Sequence, residues 1–131
     1  MPITFDSALG IHDEALMIRS RRAELLASNI ANADTPGYKA RDIDFSAALA
    51  DAQSRQTQPL TTTNAAHIQL NSSVDSMQTM YRVPDQASLD GNTVDSAIEK
   101  SAFAENALRY QASLGFLDNT LKGLMAALKG E

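Results

Sequence analysis

The feature that most constrains this chain is a series of apolar residues near its C-terminus, separated alternately by four and three positions. This heptad stripe runs without a break through Phe103, Ala107, Tyr110, Leu114, Leu117, Leu121, Leu124 and Leu128. Such spacing places every member on one side of an α-helix, at the a and d positions of a seven-residue repeat. The sequence therefore predicts a long C-terminal helix whose heptad stripe is covered by another helix. Ser96 and Glu99, three residues apart, predict a capping box at its start.

A second long helix is predicted near the N-terminus, from about residue 6 to residue 33. Apolar residues occupy its heptad positions, namely Leu9, Leu16, Ala23, Leu26 and Ile30. A second series, formed by Ile11, Ile18 and Leu25, lies on nearly the opposite side, because two residues of a helix span about 200°. A surface helix needs one apolar side, so two such sides predict partners on both. We expect the heptad stripe to pack against Leu9, Leu16, Leu26 and Ile30.

The region between the two predicted helices has a different composition. From Ala50 to Met80 it consists mostly of Gln, Thr, Ser, Asn and Ala, and it has no aromatic residue between Phe45 and Tyr81. Such a stretch buries too little apolar surface to offset the loss of chain entropy. A short helix is expected near residues 46–54, capped by Asp44 or Ser46. The predicted fold class is mainly α, with long terminal helices that pair as a coiled-coil-like unit around a polar, irregular middle. The three zones are residues 1–33, 34–91 and 92–131.

Composition excludes several classes of function. The chain has no cysteine, which excludes disulfides and thiolate metal sites. Its net charge of −5 argues against non-specific binding of nucleic acid, and no window is apolar enough to span a membrane. Aromatic residues make up 5% of the chain, which favours close helix packing over a deep substrate pocket. We therefore expect no catalytic, cofactor or metal site, and no cleaved secretory signal.

Two charged groups have more than one interpretation. Asp42 and Asp44 are candidate paired carboxylates, although solvated or capping roles are the stronger expectation. Arg19, Arg21 and Arg22 form a small basic cluster. It is either a solvated helix face, which is the stronger expectation, or a site that pairs with acidic groups on neighbouring subunits. The two histidines, His12 and His67, are too few and too separated to predict a site.

A sharp turn is predicted directly after the N-terminal helix. Pro36 cannot continue a helix, and Pro36-Gly37 suits the centre of a type II turn, in which Gly37 supplies the positive φ. Tyr38 is able to pack its ring while its hydroxyl keeps a hydrogen bond. Asn29 and Asn32 lie on one face of the preceding helix. They are either a buried pair that fixes register or solvated residues near a helix end.

Residues 28–45, SNIANADTPGYKARDIDF, resemble the N-terminal signature of bacterial flagellar basal-body rod proteins. Within that family, this segment is most similar to that of the proximal rod proteins. The proximal rod proteins form two sister groups. Residues 89–95, LDGNTVD, resemble the segment that leads into the C-terminal helix of the family, and residues 110–114, YQASL, resemble part of that helix. The turn motif of the family corresponds to Asn29, Asn32, Asp34, Thr35, Pro36, Gly37 and Tyr38.

The resemblance implies a non-enzymatic subunit of the flagellar rod, the drive shaft that crosses the periplasm. Its terminal helices are expected to stack around a central channel with copies of the chain and with other rod proteins. A proximal rod subunit is further expected to contact a FliE-type adaptor, the membrane ring and the export gate. It would be exported unfolded through the flagellar type III apparatus, without a cleaved signal. Two alternatives from other classes are a soluble helical adaptor or export chaperone, and a hydrolase that acts on the cell wall.

Overall fold

The computed structural model describes residues 11–57 and 78–130, so Leu9 and His67 lie outside the described part. Three helices and two short strands occur in this part. They are α1 (His12–Ala31), β1 (Arg41–Ile43), α2 (Phe45–Thr57), β2 (Thr79–Tyr81) and α3 (Ser96–Lys129). The predicted mainly α fold class with long terminal helices is therefore confirmed.

Helix α3 begins differently from the capping box that the sequence predicts. Its N-cap is Asp95, whose Oδ1 accepts hydrogen bonds from the backbone N–H groups of Ala97 and Ile98 at 2.9 and 3.2 Å. Glu99 does not turn back toward the cap, because its side chain is fully buried against other elements. The prediction of a Ser96–Glu99 capping box is therefore wrong. The helix ends at Gly130, whose φ of 77° suits a left-handed C-cap.

Helices α1 and α3 pack side by side in opposite directions. The rings of His12 and Phe116 lie 6.4 Å apart at one end of the contact. In its middle, the Asn106 side-chain amide donates a hydrogen bond of 2.9 Å to the carbonyl oxygen of Arg19. At the other end, Asn29 of α1 contacts Glu99 of α3. Residue numbers rise along α1 while those of its partners fall, so the pair is antiparallel.

The face of α3 that meets α1 is not centred on the heptad stripe. Glu99 and Asn106, seven residues apart, are its fully buried members. Within the heptad stripe, Ala107 is exposed, and the exposed fractions of Phe103, Leu114 and Leu128 are 39%, 42% and 88%. The other four members are half-buried, namely Tyr110, Leu117, Leu121 and Leu124. Packing of the exposed half of the stripe against neighbouring subunits stays a prediction.

Both apolar series of α1 have partners within the chain. Leu26 is fully buried, while Leu16, Ala23 and Ile30 are half-buried. In the second series, Ile18 and Leu25 form a buried cluster with Ile43. Phe45, Ala48 and Leu49 at the start of α2 pack against that cluster. Helix α1 is therefore covered by α3 and, through this second series, by β1 and α2.

Strands β1 and β2 form a small antiparallel pair that brings two distant parts of the chain together. Arg41 lies opposite Tyr81, and Ile43 lies opposite Thr79. The backbone N–H of Arg82 donates to the carbonyl oxygen of Ala40 at 2.9 Å, which extends the pairing by one bond. This register places Arg82 directly after β2, next to Ala40 of the other segment.

Helix α2 starts directly after β1. The carboxylate of Asp44 accepts a hydrogen bond of 3.1 Å from the backbone N–H of Ala47. Asp44 therefore has the predicted capping role, and the predicted short helix occurs with longer bounds.

Replacing Leu26 tests how far the burial of this α1 side chain determines stability. We expect Leu26→Ala to lower the free energy of unfolding by about 3 kcal/mol, because it removes buried apolar surface and leaves a cavity. Urea denaturation followed by circular dichroism measures this loss. Leu108→Ala is the matched control on α3, since Leu108 is 68% exposed, and it should change stability by less than about 0.5 kcal/mol. Equal losses of unfolding free energy in the two variants would contradict a stabilising role for the buried Leu26 side chain.

Candidate functional site

The turn that follows α1 has the predicted form. The backbone N–H of Tyr38 donates to the carbonyl oxygen of Thr35 at 3.3 Å, which closes a four-residue turn with Pro36 and Gly37 at its centre. Gly37 has a φ of 72°, the positive value that the third position of a type II turn requires. The turn exposes Pro36 and sends the chain toward β1.

A segment just before α3 binds the outgoing side of this turn. The backbone N–H of Gly37 donates to the carbonyl oxygen of Asp90 at 2.9 Å. The N–H of Thr93 donates to the carbonyl oxygen of Tyr38 at 3.0 Å, and the N–H of Ala40 donates to Oγ1 of Thr93 at 2.8 Å. The two segments that carry the family resemblance therefore bind each other. We call this set of contacts, between residues 35–40 and 90–93, the clasp.

Asn92, in the middle of the clasp, caps the C-terminus of α1 from a distant part of the chain. Its Nδ2 lies 3.1, 2.7 and 3.0 Å from the carbonyl oxygens of Asn32, Ala33 and Thr35. These carbonyls belong to the C-cap residue of α1 and to the turn that follows it, so one amide holds the turn against the end of the helix. Its Oδ1 accepts from the backbone N–H of Val94 at 2.8 Å, which fixes the orientation of the amide. The buried Asn92 side chain thereby joins the end of α1 to the start of α3.

Asn29 is fully buried, and its amide pairs with β1 as a neighbouring strand would. Its Nδ2 donates to the carbonyl oxygen of Arg41 at 2.8 Å, and its Oδ1 accepts from the N–H of the same residue at 3.1 Å. The Nδ2 also donates to Oε2 of Glu99 at 3.1 Å. The solvated interpretation of Asn29 is therefore wrong. The half-buried Tyr38 lies over this amide, with its hydroxyl 3.4 Å from Oδ1.

The other members of the turn motif hold the helix end. Asn32, the C-cap residue, donates from Nδ2 to the carbonyl oxygen of Ser28 at 2.8 Å. Its Oδ1 accepts from the hydroxyl of Thr35 at 3.2 Å. Asn32 is half-buried and Asp34 is exposed. The polar atoms of Asn32 are therefore engaged within the motif itself.

Four charged residues from four parts of the chain form a partly buried network next to Asn29. Arg22 of α1 binds Asp42 with two nitrogens, at 2.8 and 2.9 Å. Arg82, which follows β2, lies 2.5 Å from Oδ2 of the same carboxylate, the oxygen that also accepts from Arg22. The other terminal nitrogen of Arg82, Nη1, lies 2.8 Å from Oε1 of the fully buried Glu99. The two groups form an ion pair, but their geometry is not that of a hydrogen bond. Two guanidinium groups and two carboxylates thus neutralise each other where α1, the strand pair and α3 meet.

The network shifts the pKa of its members. Burial alone would raise the pKa of Asp42. The hydrogen bonds from Arg22, the backbone N–H of Ile43 and Arg82 outweigh burial, and the pKa of Asp42 lies below its ordinary value of 3.8. The hydrogen bond to Asp42 raises the pKa of Arg22. Both groups therefore stay charged in the folded state at neutral pH.

The basic cluster on α1 divides into three different environments. Arg21 is exposed and pairs with Glu24 at 2.6 Å, as a solvated face predicts. Arg22 instead belongs to the buried network. Arg19 is buried over the ring of Phe45. The expectation of a solvated cluster is wrong for Arg19 and Arg22, since both point toward the strand pair and α2 rather than toward solvent.

Sequence reasoning missed the long-range roles of Asn92, Glu99 and Asn106. These three polar residues follow each other at intervals of seven, beside the heptad stripe, and that repeat is a signal in the sequence. It indicates a polar face that follows one side of α3. Arg82 carries no comparable signal, because its two carboxylate partners are distant in the sequence.

The arrangement is suited to holding segments together rather than to chemistry on a reactant. Among residues 11–57 and 78–130, no group of three or more histidine, cysteine, aspartate or glutamate side chains is placed to hold a metal ion. None of the helices in these two ranges is long and apolar enough to cross a membrane. The polar groups of the clasp are bound to other parts of the same chain.

Known proteins share these features of the sequence. Residues 9–39, which contain α1 and the turn, match the family described as flagella basal body rod protein. A relative from Aeromonas hydrophila named flagellar basal body rod protein FlgB is 54% identical over 132 residues, which cover 100% of this chain and 99% of the relative. The chain belongs to the FlgB family of flagellar basal body rod proteins.

Other members of the FlgB family extend this likeness. Those from Salmonella typhimurium and Escherichia coli are 49% and 47% identical to this chain, each over 95% of its length. The resemblance to proximal rod proteins is thereby confirmed and narrowed to FlgB rather than its sister group FlgC. The match to the family model ends at residue 39, so it contains the turn but not the residues 90–93 that bind it.

The clasp is tested by replacing the Asn92 amide, which donates hydrogen bonds, with a carboxylate, which only accepts them. We expect Asn92→Asp to lower the free energy of unfolding by about 2 kcal/mol or more, because a carboxylate would face three carbonyl oxygens at the negative end of the α1 dipole. Urea denaturation measures the loss. Asn119→Asp, at an exposed position of α3, introduces the same charge and should have little effect. A small effect at both positions would contradict the capping role.

The Asp42 network predicts a specific dependence of stability on pH. A carboxyl group whose pKa is lowered on folding stabilises the fold above its ordinary pKa, and this contribution is lost as pH falls through the folded-state pKa. The difference in unfolding free energy between the natural chain and Asp42→Asn should therefore be largest above about pH 5 and should shrink below pH 3.8. Denaturation at a series of pH values measures it. Asp118→Asn is the matched control: it removes an exposed partner of Lys122 and should change stability little, because exposed ion pairs contribute little.

Proposed function

We propose that this chain is a structural subunit of the flagellar proximal rod, which assembles into a tube that transmits torque and encloses the export channel. Membership of the FlgB family supports the rod assignment. The structure supports a mechanical role, because the buried polar side chains join one segment to another. No enzymatic step is part of this proposal.

The exposed half of the heptad stripe is the observation that carries the assembly proposal. Phe103, Leu114 and Leu128 remain accessible in the single chain. Covering apolar surface contributes about 25 cal/mol per Å², so these side chains favour contact with another protein surface. Contacts between unlike faces of successive copies generate a helical tube when the rotation between copies does not close into a ring. The stripe is thus the proposed packing surface between subunits.

The location and partners follow from the same proposal. The rod is placed in the periplasmic part of the basal body, where copies of this chain would contact other rod proteins. A FliE-type adaptor, the membrane ring and the export gate are the proposed neighbours at its base. Export through the flagellar type III apparatus, without a cleaved signal, is the proposed route. The relatives are named as flagellar basal body rod proteins, which supports this location.

The proposed packing surface is testable in a motile cell. A strain of Aeromonas hydrophila that lacks its own FlgB should swim again when it produces this chain, and the chain should be found in its purified basal bodies. Leu114→Asp should abolish swimming and entry into basal bodies. The amount of protein should be unchanged and its unfolding free energy should fall by much less than in Leu26→Ala, because Leu114 is 42% exposed before assembly.

Gln111→Asp is the matched control, since it adds the same charge to an exposed position one turn away. It should swim normally. Loss of swimming in both variants, or in neither, would contradict the stripe as the packing surface. Failure of the natural chain to enter basal bodies would contradict the proposed function itself.

A further inference from the structure

Arg19 differs from the other charged residues of the fold because it is buried without a partner of opposite charge. Only 9% of its surface is exposed, and its guanidinium carbon lies 4.1 Å from the centre of the Phe45 ring. Its Nε is buried and makes no hydrogen bond. Within residues 11–57 and 78–130, no carboxylate forms an ion pair with it. A buried charge in this state is destabilising, so its retention calls for a reason.

The surroundings of Arg19 carry a surplus of positive charge. Arg22 is bound by Asp42, and Arg109 of α3 is bound by Glu105. With Arg82 and Glu99, which belong to the same network, four guanidinium groups share three carboxylates. Burial lowers the pKa of Arg19, and the charges of Arg109 and Arg22 lower it further against the attraction of Glu105. The single chain thus lacks the one carboxylate that would neutralise this region.

Folding builds the position of Arg19 from three elements. Its side chain comes from α1, and the ring beneath it comes from the first residue of α2. Asn106 of α3 holds the Arg19 carbonyl oxygen at 2.9 Å. A guanidinium stacked on a ring has lost much of its freedom already, so a ligand that binds it loses less entropy. The side chain is therefore preorganised for an external anion.

We propose that the Arg19 guanidinium binds a carboxylate side chain of a neighbouring rod subunit. The planar fork of an arginine matches the two oxygens of a carboxylate, and the terminal nitrogens of Arg19, unlike its Nε, are not among the fully buried atoms without a partner. A chain with 16 acidic and 11 basic residues supplies surplus carboxylates to its neighbours. This inference rests on the proposed function, because it needs a neighbouring subunit.

Arg19→Met separates this role from a purely structural one. The methionine keeps an apolar stem beside Phe45 and removes the buried charge, so the urea midpoint of the isolated chain should stay the same or rise. Assembly should nevertheless fall, with about tenfold fewer chains in purified basal bodies, which corresponds to a loss of about 1.4 kcal/mol at an interface. Swimming should fall with it. Arg19→Lys should restore part of the assembly, since it returns the charge without the fork.

Arg21→Met is the matched control, because it removes a charge from an exposed residue of the same helix. It should assemble and swim normally. A lowered urea midpoint in Arg19→Met would overturn the proposal in favour of a structural role for the stacked ring. Normal assembly of Arg19→Met would also overturn it, while the proposed function would stand if Leu114→Asp still failed.

Suppressor selection identifies the source of the carboxylate. Swimming revertants of a strain that carries Arg19→Glu should replace an aspartate or glutamate by lysine or arginine. If the exchanged acidic residue lies in this chain, the carboxylate belongs to a second copy of it. If the exchanged residue lies in another rod protein, the carboxylate belongs to that protein. Revertants that arise without any exchange of an acidic for a basic residue would overturn the carboxylate assignment.

Discussion

A carboxylate with no exposed surface, that of Glu99, imposes the central constraint on this fold. Removing such a charge from water is unfavourable unless ion pairs and hydrogen bonds compensate it, and here Arg82 and Asn29 do so. Arg82 also binds Asp42, which binds Arg22 in turn. Losing Arg82 leaves the buried carboxylate of Glu99 without its ion-pair partner. Helix α3, the strand pair and α1 therefore depend on each other for docking.

The two sides of α3 have different roles. One side sets the register of α3 against α1, and the other carries apolar surface that favours association. The side that meets α1 buries Glu99 and Asn106, whose hydrogen bonds require one register of the two helices. The adjacent side carries the leucines, which attract apolar surface without demanding one alignment. A chain built in this way fixes its internal geometry with polar contacts and leaves its apolar surface for other proteins, as expected of a subunit in the FlgB family.

Local patterns in the sequence predicted the three helices and the turn, because periodicity and the Pro36-Gly37 pair act over a few residues, but they did not predict the two strands. They did not predict which stripe of α3 faces α1. A heptad series of leucines indicates that a helix will be covered, but not whether its own chain or a neighbour covers it. The family resemblance directed attention to Asn29 without giving its bond to Arg41. Arg82 could not be predicted, since its partners Asp42 and Glu99 are brought near only by the complete fold.

Asn92 connects the end of α1 to the start of α3 through three carbonyl oxygens that lie 57 to 60 residues earlier in the sequence. A displacement of α3 along its axis reaches the last turn of α1 directly at this amide. It bypasses the long intervening segment of chain, whatever the stiffness of that segment. The clasp is thus a short mechanical path between the two terminal helices, which acts in addition to their direct side-by-side packing.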